Sequence, residues 1–264
     1  MNRNSNNQTD IGCVESVGGI RRLFAASTIA PDSWWMRCRL SPLRAQSGTV
    51  KSMLLYASLL VVITLPWMIW RQQTGDLGLY FTEAVPAGQL LYVLSKLAGM
   101  YALLFIALQI IVSLAGRLNL IPPHRLRFSH PLLGSLVVLL GVAHALLFFT
   151  AVSVRQSGPA WGLLFPGFRD YYHTHLTLGV FGLWILIAVM ISGVVRCINR
   201  SSMARMLHRG YWVSIALVYI HAIAIGTESQ SRAGLAFYST LGGVVLMMLV
   251  MWIVRRNRSV AVAS

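Results

Sequence analysis

The chain has 264 residues, 56% of them hydrophobic and 11% charged, with 22 Lys and Arg against 7 Asp and Glu. Soluble domains carry about 25% charged residues, so this composition excludes an ordinary soluble enzyme and a disordered chain and points to one that dissolves in lipid. The net charge of +15 sits in short segments between apolar runs, where basic residues mark membrane topology, and no nucleic-acid partner is expected.

Residues 1–50 are rich in Asn, Ser and Arg and lack a long apolar run. They read as a mobile cytoplasmic tail, and the first apolar stretch lies too far along the chain for a signal peptide. Six stretches then approach the roughly 20 apolar residues that cross a bilayer. They run near 52–70, 88–115, 131–153, 173–195, 210–226 and 234–254, and the fifth is the shortest and weakest. Residues 51–254 thus read as an all-α, six-helix integral membrane domain, and residues 255–264 as a short C-terminal tail. No apolar stretch alternates with period two, which argues against a membrane barrel. Cys13, Cys38 and Cys197 show neither a CxxC pair nor zinc spacing.

Orientation follows from the basic residues. Seventeen of the 22 fall before the first stretch, between the second and third, between the fourth and fifth, and after the sixth. Arg71, Arg155, Arg169 and Arg232 fall on the other side, and Lys96 lies inside the second stretch. The positive-inside rule therefore puts both termini in the cytoplasm, and a multi-pass protein of a bacterial inner membrane is expected.

The seven histidines carry the chemistry. His144 lies deep in the third stretch and His221 deep in the fifth, while His130 and His208 lie at the cytoplasmic starts of the same two. Polar rings inside a bilayer are costly and usually functional, although one alone is as readily an interhelical hydrogen bond. His130 and His144 are 14 residues apart and His208 and His221 are 13 apart. The third and fifth spans run parallel, so an inner and an outer pair of histidines face each other. At a rise of 1.5 Å per residue the two levels are about 21 Å apart. That fits two haems stacked through the bilayer, each held by one histidine from each helix. Fourteen steps of about 100° return to within roughly 40° of the starting face, but thirteen miss by roughly 140°. The fifth span therefore needs overwinding, a kink or a different approach angle.

This pattern resembles the ferric reductase-like transmembrane domain, a family that includes NADPH oxidases, ferric-chelate reductases and the haem subunit of a bacterial periplasmic methionine sulfoxide reductase system. The last of these departs from the four-histidine set. The resemblance covers roughly residues 51–254 and rests on the four histidines and the topology. It implies that His130 and His208 ligate the iron of an inner haem b, and His144 and His221 that of an outer one. It implies an oxidoreductase, or an electron-transfer subunit of one. Electrons would pass from the cytoplasmic side to an acceptor at the outer face: a ferric or other metal chelate, oxygen, or a periplasmic redox protein. Full-length relatives carry a flavin and nicotinamide domain after the last span. No dinucleotide fingerprint occurs in this sequence, so FAD is not expected on this chain, and the donor is expected to be a separate reductase or quinol.

Other residues are weaker candidates. Arg127 and Arg209 neighbour the inner level and are placed to pair with propionates or simply to reach the interface. Lys96 sits near the outer level as a further propionate or acceptor partner, with snorkelling as the plain reading. His173 and His175 open the fourth span, and His175 is the better candidate for an outer-face metal or substrate contact. Gly134, Gly141, Ala143 and Gly210 are small enough to admit a flat macrocycle, and equally suit ordinary helix packing. Trp67, Trp70, Trp161 and Tyr171 read as interfacial anchors. The competing readings are a cytochrome of the b561 kind, a histidine-lined metal transporter and a membrane anchor for a redox partner. The first spreads its histidines over four helices; the second commonly needs intramembrane carboxylates.

Overall fold

The structure, a computed structural model, describes residues 49–82, 85–199 and 202–263. Those residues are all-helical, without a strand. The long helices are α1 (Thr49–Thr74), α2 (Gln89–Arg117), α3 (Pro123–Arg155), α4 (Tyr171–Asn199), α6 (Tyr211–Ile225) and α7 (Arg232–Ala263), and a short α5 (Ser202–His208) precedes α6. Four of them are long and apolar enough to cross a membrane: α2, and the segments Ser129–Arg155 of α3, Tyr171–Arg196 of α4 and Arg232–Arg258 of α7. At 15 residues, α6 is only about 22 Å long, short of the roughly 30 Å hydrocarbon core. The expected tail at 1–48 lies outside the described residues.

Interhelical bonds group the helix ends. At one end the Trp70 indole N–H donates to the Val93 carbonyl at 2.6 Å, tying the end of α1 to the start of α2. Arg155, closing α3, donates to Gln89 at 2.7 Å. Tyr171, opening α4, donates to the Ala224 carbonyl near the end of α6 at 3.3 Å. At the other end Arg117, closing α2, stacks its guanidinium over Trp252 of α7 at 5.2 Å. Successive long helices therefore alternate in direction.

The buried core surrounds α2. Val93, Met100, Leu103, Leu104 and Ile106 pack with Ile69 and Trp70 of α1, Val137 of α3 and Phe237 and Tyr238 of α7. Further along, Ile110, Leu114 and Ala115 pack with Met248. Outward faces stay apolar. Leu132, Leu139 and Leu146 form one exposed stripe at seven-residue spacing along α3, and Trp184, Ile191 and Val194 form another on α4. Exposed apolar stripes of this extent suit hydrocarbon, not water.

Close helix approach is built from glycine. Gly88 precedes α2 with φ +77°, a conformation glycine adopts without strain. A Cβ there would also lie 2.5 Å from the Ala151 carbonyl oxygen of α3. On α4, Gly182 lets Val218 of α6 approach, and the buried Ser214 hydroxyl donates to the Gly182 carbonyl at 2.7 Å.

Three features differ from the sequence reading. Trp70 is a core residue, 2% exposed, because its one polar atom is satisfied inside the bundle. Trp67, Trp161 and Tyr171 are exposed as expected. The last helix does not end near residue 254 but runs to Ala263, since neither proline nor glycine interrupts it after Gly243. His208 does not open the fifth long helix: it closes α5, and a turn at Arg209–Gly210 separates it from α6.

Candidate haem-binding site

Four histidines meet in two pairs. His130 of α3 and His208 of α5 have ring centroids 6.1 Å apart. His144 of α3 and His221 of α6 have centroids 6.3 Å apart. The pairs bridge helices whose backbones are not closely packed, because α3 packs chiefly on α2, and α6 chiefly on α4.

The break before α6 explains how a 13-residue spacing yields two facing pairs. Around it the backbone N–H groups of Arg209, Gly210, Trp212 and Val213 donate to carbonyls three residues back, at Met206, Leu207, Arg209 and Gly210. Each such tightened step turns about 120° rather than about 100°, so four recover roughly 80° of the roughly 140° deficit. The overwinding thus recovers part of the angle, and the turn at Arg209–Gly210 interrupts the helix between the two histidines.

Each ring is held from behind by a neighbouring helix. His144 Nδ1 bonds the Ser95 carbonyl at 2.7 Å, and His221 Nδ1 bonds the His175 carbonyl at 2.9 Å. His208 Nδ1 lies 3.3 Å from the Val189 carbonyl. His130 Nδ1 instead meets a side chain, the Ser113 hydroxyl, at 3.1 Å, while the Gln109 amide donates to the His130 carbonyl at 3.4 Å. A carbonyl only accepts, so Nδ1 carries the proton in His144, His221 and His208, and Nε2 keeps its lone pair.

Four residues beyond each acceptor stands a residue small enough to seat the ring. A Cβ on Gly99 would lie 2.9 Å from His144 Nδ1, and one on Gly179 only 2.6 Å from His221 Nδ1. A Cβ on Gly193 would sit 3.6 Å from the His208 ring. Ser113 holds the corresponding place for His130. The supports therefore repeat: Ser95 and Gly99, then Gln109 and Ser113 fourteen residues on along α2; His175 and Gly179, then Val189 and Gly193 fourteen residues on along α4. Helices α2 and α4 act as two matching backings.

Two facing imidazoles at each pair are a donor set of the kind that a haem iron takes. A metal–imidazole bond is about 2.0 Å and the ring nitrogen lies about 1.1 Å from its centroid, so two imidazoles on one ion have centroids about 6 Å apart. Nδ1 bonds to backbone carbonyls are the outer-shell support that fixes tautomer and ring direction in metal-ligating histidines. Among the described residues no group of three or more His, Cys, Asp or Glu is gathered, so each pair offers two nitrogens and nothing further from those residue types.

The weaker candidates fare differently. Lys96 bonds the Thr227 hydroxyl, pairs with Glu228 at 3.3 Å and lies 4.6 Å from the Tyr92 ring centroid. It is a half-buried partner of the α6–α7 connection, and its charge is already compensated. His175 contributes its backbone carbonyl to His221; its own ring turns back to the Tyr171 carbonyl at 2.7 Å. His173 pairs with Asp170 at 2.7 Å, so the two neighbouring histidines have separate partners. Arg209 is exposed in the turn before α6, and the Arg127 side chain lies outside the described residues. Gly134 faces Gln109 and Gly141 faces Leu183; neither touches a histidine ring.

Sequence reasoning missed Ser95, Gly99, Ser113, Gly179, Gly193 and Glu228. One signal was available: Gly179 and Gly193 repeat the 14-residue spacing of His130 and His144. No protein-family model matches the chain, and curated proteins and solved structures give no match either. The likeness to the ferric reductase-like domain therefore rests on the four histidines and the helices that carry them.

Proposed function

We propose that this chain is a six-pass membrane haem b protein that relays electrons from a cytoplasmic donor to an acceptor at the outer face. One observation carries the reading: two histidine pairs at 6.1 and 6.3 Å, with every Nδ1 engaged by a neighbouring helix. A haem at each pair supplies a one-electron carrier whose iron changes charge by one without leaving its ligands. His130 and His208 hold the inner group, and His144 and His221 the outer one. The Ser95, His175 and Val189 carbonyls keep three rings in the ligating tautomer. The apolar helices around them keep water away, which limits the rearrangement that accompanies each change of charge. The fifth pass is made by α5 and α6 together, across their break.

Direction follows from charge. Arg117, Arg205, Arg209, Arg255 and Arg256 cluster at the end that carries His130 and His208, which favours the cytoplasmic side and suits an anionic surface of a separate reductase. Quinol is the small-molecule alternative as donor. The acceptor is a metal chelate, oxygen or a redox protein, and in the last case the chain is an electron-transfer subunit.

The test is a haem assay with reduced-minus-oxidised spectra on the purified full chain. Two low-spin b haems per polypeptide are expected, falling to about one in His144→Ala or His221→Ala. A folded but colourless preparation overturns the reading.

A further inference from the structure

We propose that Ser113 tunes the reduction potential of the His130–His208 site, an inference that rests on the haem reading above. Three of the four histidines present Nδ1 to a backbone carbonyl, at Ser95, His175 and Val189. In each case the residue four positions on is glycine, and the ring lies against it. At His130 the same place on α2 is filled by serine, and the serine hydroxyl takes the bond at 3.1 Å. The carbonyl that the pattern assigns to this ring is that of Gln109, whose side chain instead donates to the His130 carbonyl.

The substitution has an electronic consequence. For His130 to ligate through Nε2, Nδ1 must carry the proton, so Ser113 Oγ is the acceptor. A neutral hydroxyl is a weaker acceptor than an amide carbonyl. The imidazole then gains less electron density, Nε2 is the weaker donor, and the oxidised iron is less well stabilised. The partner reinforces this, since the His208 bond of 3.3 Å is longer than the 2.7 and 2.9 Å bonds behind His144 and His221. The pair at the arginine-rich end therefore holds its electron more tightly than the other. Ser113 is a positioning residue, acting through His130.

The experiment is a redox titration of the purified full chain, following both absorbance components, with paramagnetic resonance of the oxidised form. Ser113→Ala removes the acceptor, and the ferrous-to-ferric ratio of one component at fixed potential rises about three- to tenfold. At 59 mV per tenfold for one electron, that is a shift of about 30–59 mV upward. Ser113→Gly restores the pattern of the other three sites, opens the Gln109 carbonyl to the ring and moves the same component downward. Ser113→Thr keeps the hydroxyl and the original potential. The second component stays in place throughout. If Ser113→Ala fails to load haem, the Gly and Thr variants decide: a downward shift in Gly alone supports the role, and equal values overturn it. Unmoved potentials, or both components moving together, overturn it while two bound haems leave the parent reading standing. An unsubstituted chain without haem overturns the parent reading and this role with it.

Discussion

His221 is seated on a glycine because no other residue leaves room for its ring. A methyl group at 179 would stand 2.6 Å from Nδ1 and 2.9 Å from Cγ, so Gly179→Ala must push the ring off the His175 carbonyl. On the proposed haem reading the expected outcome is loss of about one haem per chain, read by spectroscopy, with the His130–His208 component retained. Gly243 is the control, with no atom within 4 Å of its added Cβ. There alanine removes backbone entropy without a clash and should stabilise α7 by about 0.5–1 kcal/mol, measured by thermal unfolding in detergent. At the start of α4, Asp170 accepts the His173 backbone N–H at 2.8 Å and faces its ring nitrogen at 2.7 Å. The bonds from the His173 backbone and ring hold the Asp170 carboxyl below its ordinary range. A depressed carboxyl adds stability that is complete above its unfolded value and is lost as pH falls through the folded one. Protection of the amides in the first turn of α4, taken relative to their intrinsic exchange rates, should therefore fall below about pH 4, and Asp170→Asn should lose that pH dependence.

At the scale of elements, an ion pair joins what the chain separates. Lys96 of α2 and Glu228 of the α6–α7 connection are 132 positions apart, and their side chains are 20% and 6% exposed. The Gln73 amide of α1 reaches the same connection, donating to Ser231 at 2.7 Å. Removing Lys96 leaves the buried Glu228 carboxylate without its counter-charge, at a cost that approaches the roughly 3–5 kcal/mol of a fully buried pair. Lys96→Met should therefore lower thermal stability strongly, and Lys96→Met with Glu228→Gln should recover most of the loss. Equal stability of the two variants in a double-mutant cycle would show that the pair is only a surface contact. The break between α5 and α6 belongs to this scale as well. The fifth apolar stretch reads as starting at Gly210, yet a short helix precedes it, and the tightened turns at Arg209–Gly210 lie between His208 and His221.

The whole molecule makes one further expectation. Helices that alternate in direction put the α2–α3 turn and the α3–α4 connection at opposite ends of the bundle. A phosphatase reporter inserted near 119–122 should be silent and one inserted near 156–160 active, if the arginine-rich end faces the cytoplasm. The reverse result would invert the proposed direction of electron flow. The six long helices each correspond to one of the apolar stretches seen in the chain, since a segment in hydrocarbon must satisfy its backbone internally and has few alternatives to helix.

The helical architecture and the 14-residue interval on α3 were set by local pattern: a long apolar run is helical wherever it sits in lipid, and helical rise alone spaces His130 from His144. The pairing of those rings with His208 and His221 was expected from two parallel spans, but how thirteen residues allow it needed the third dimension, where the helix breaks before α6. The backings at Ser95, Gly99 and Ser113 were hidden, and Gly179 and Gly193 showed only as a repeat of the 14-residue spacing. A backbone carbonyl has no side-chain signature, and a glycine in an apolar helix looks the same whether it faces lipid or a histidine. Glu228 was hidden for the same reason: it reads as a loop acid until the fold lays it against Lys96. Spacing along a helix is a property of the chain, whereas what lies across from it depends on how the helices pack.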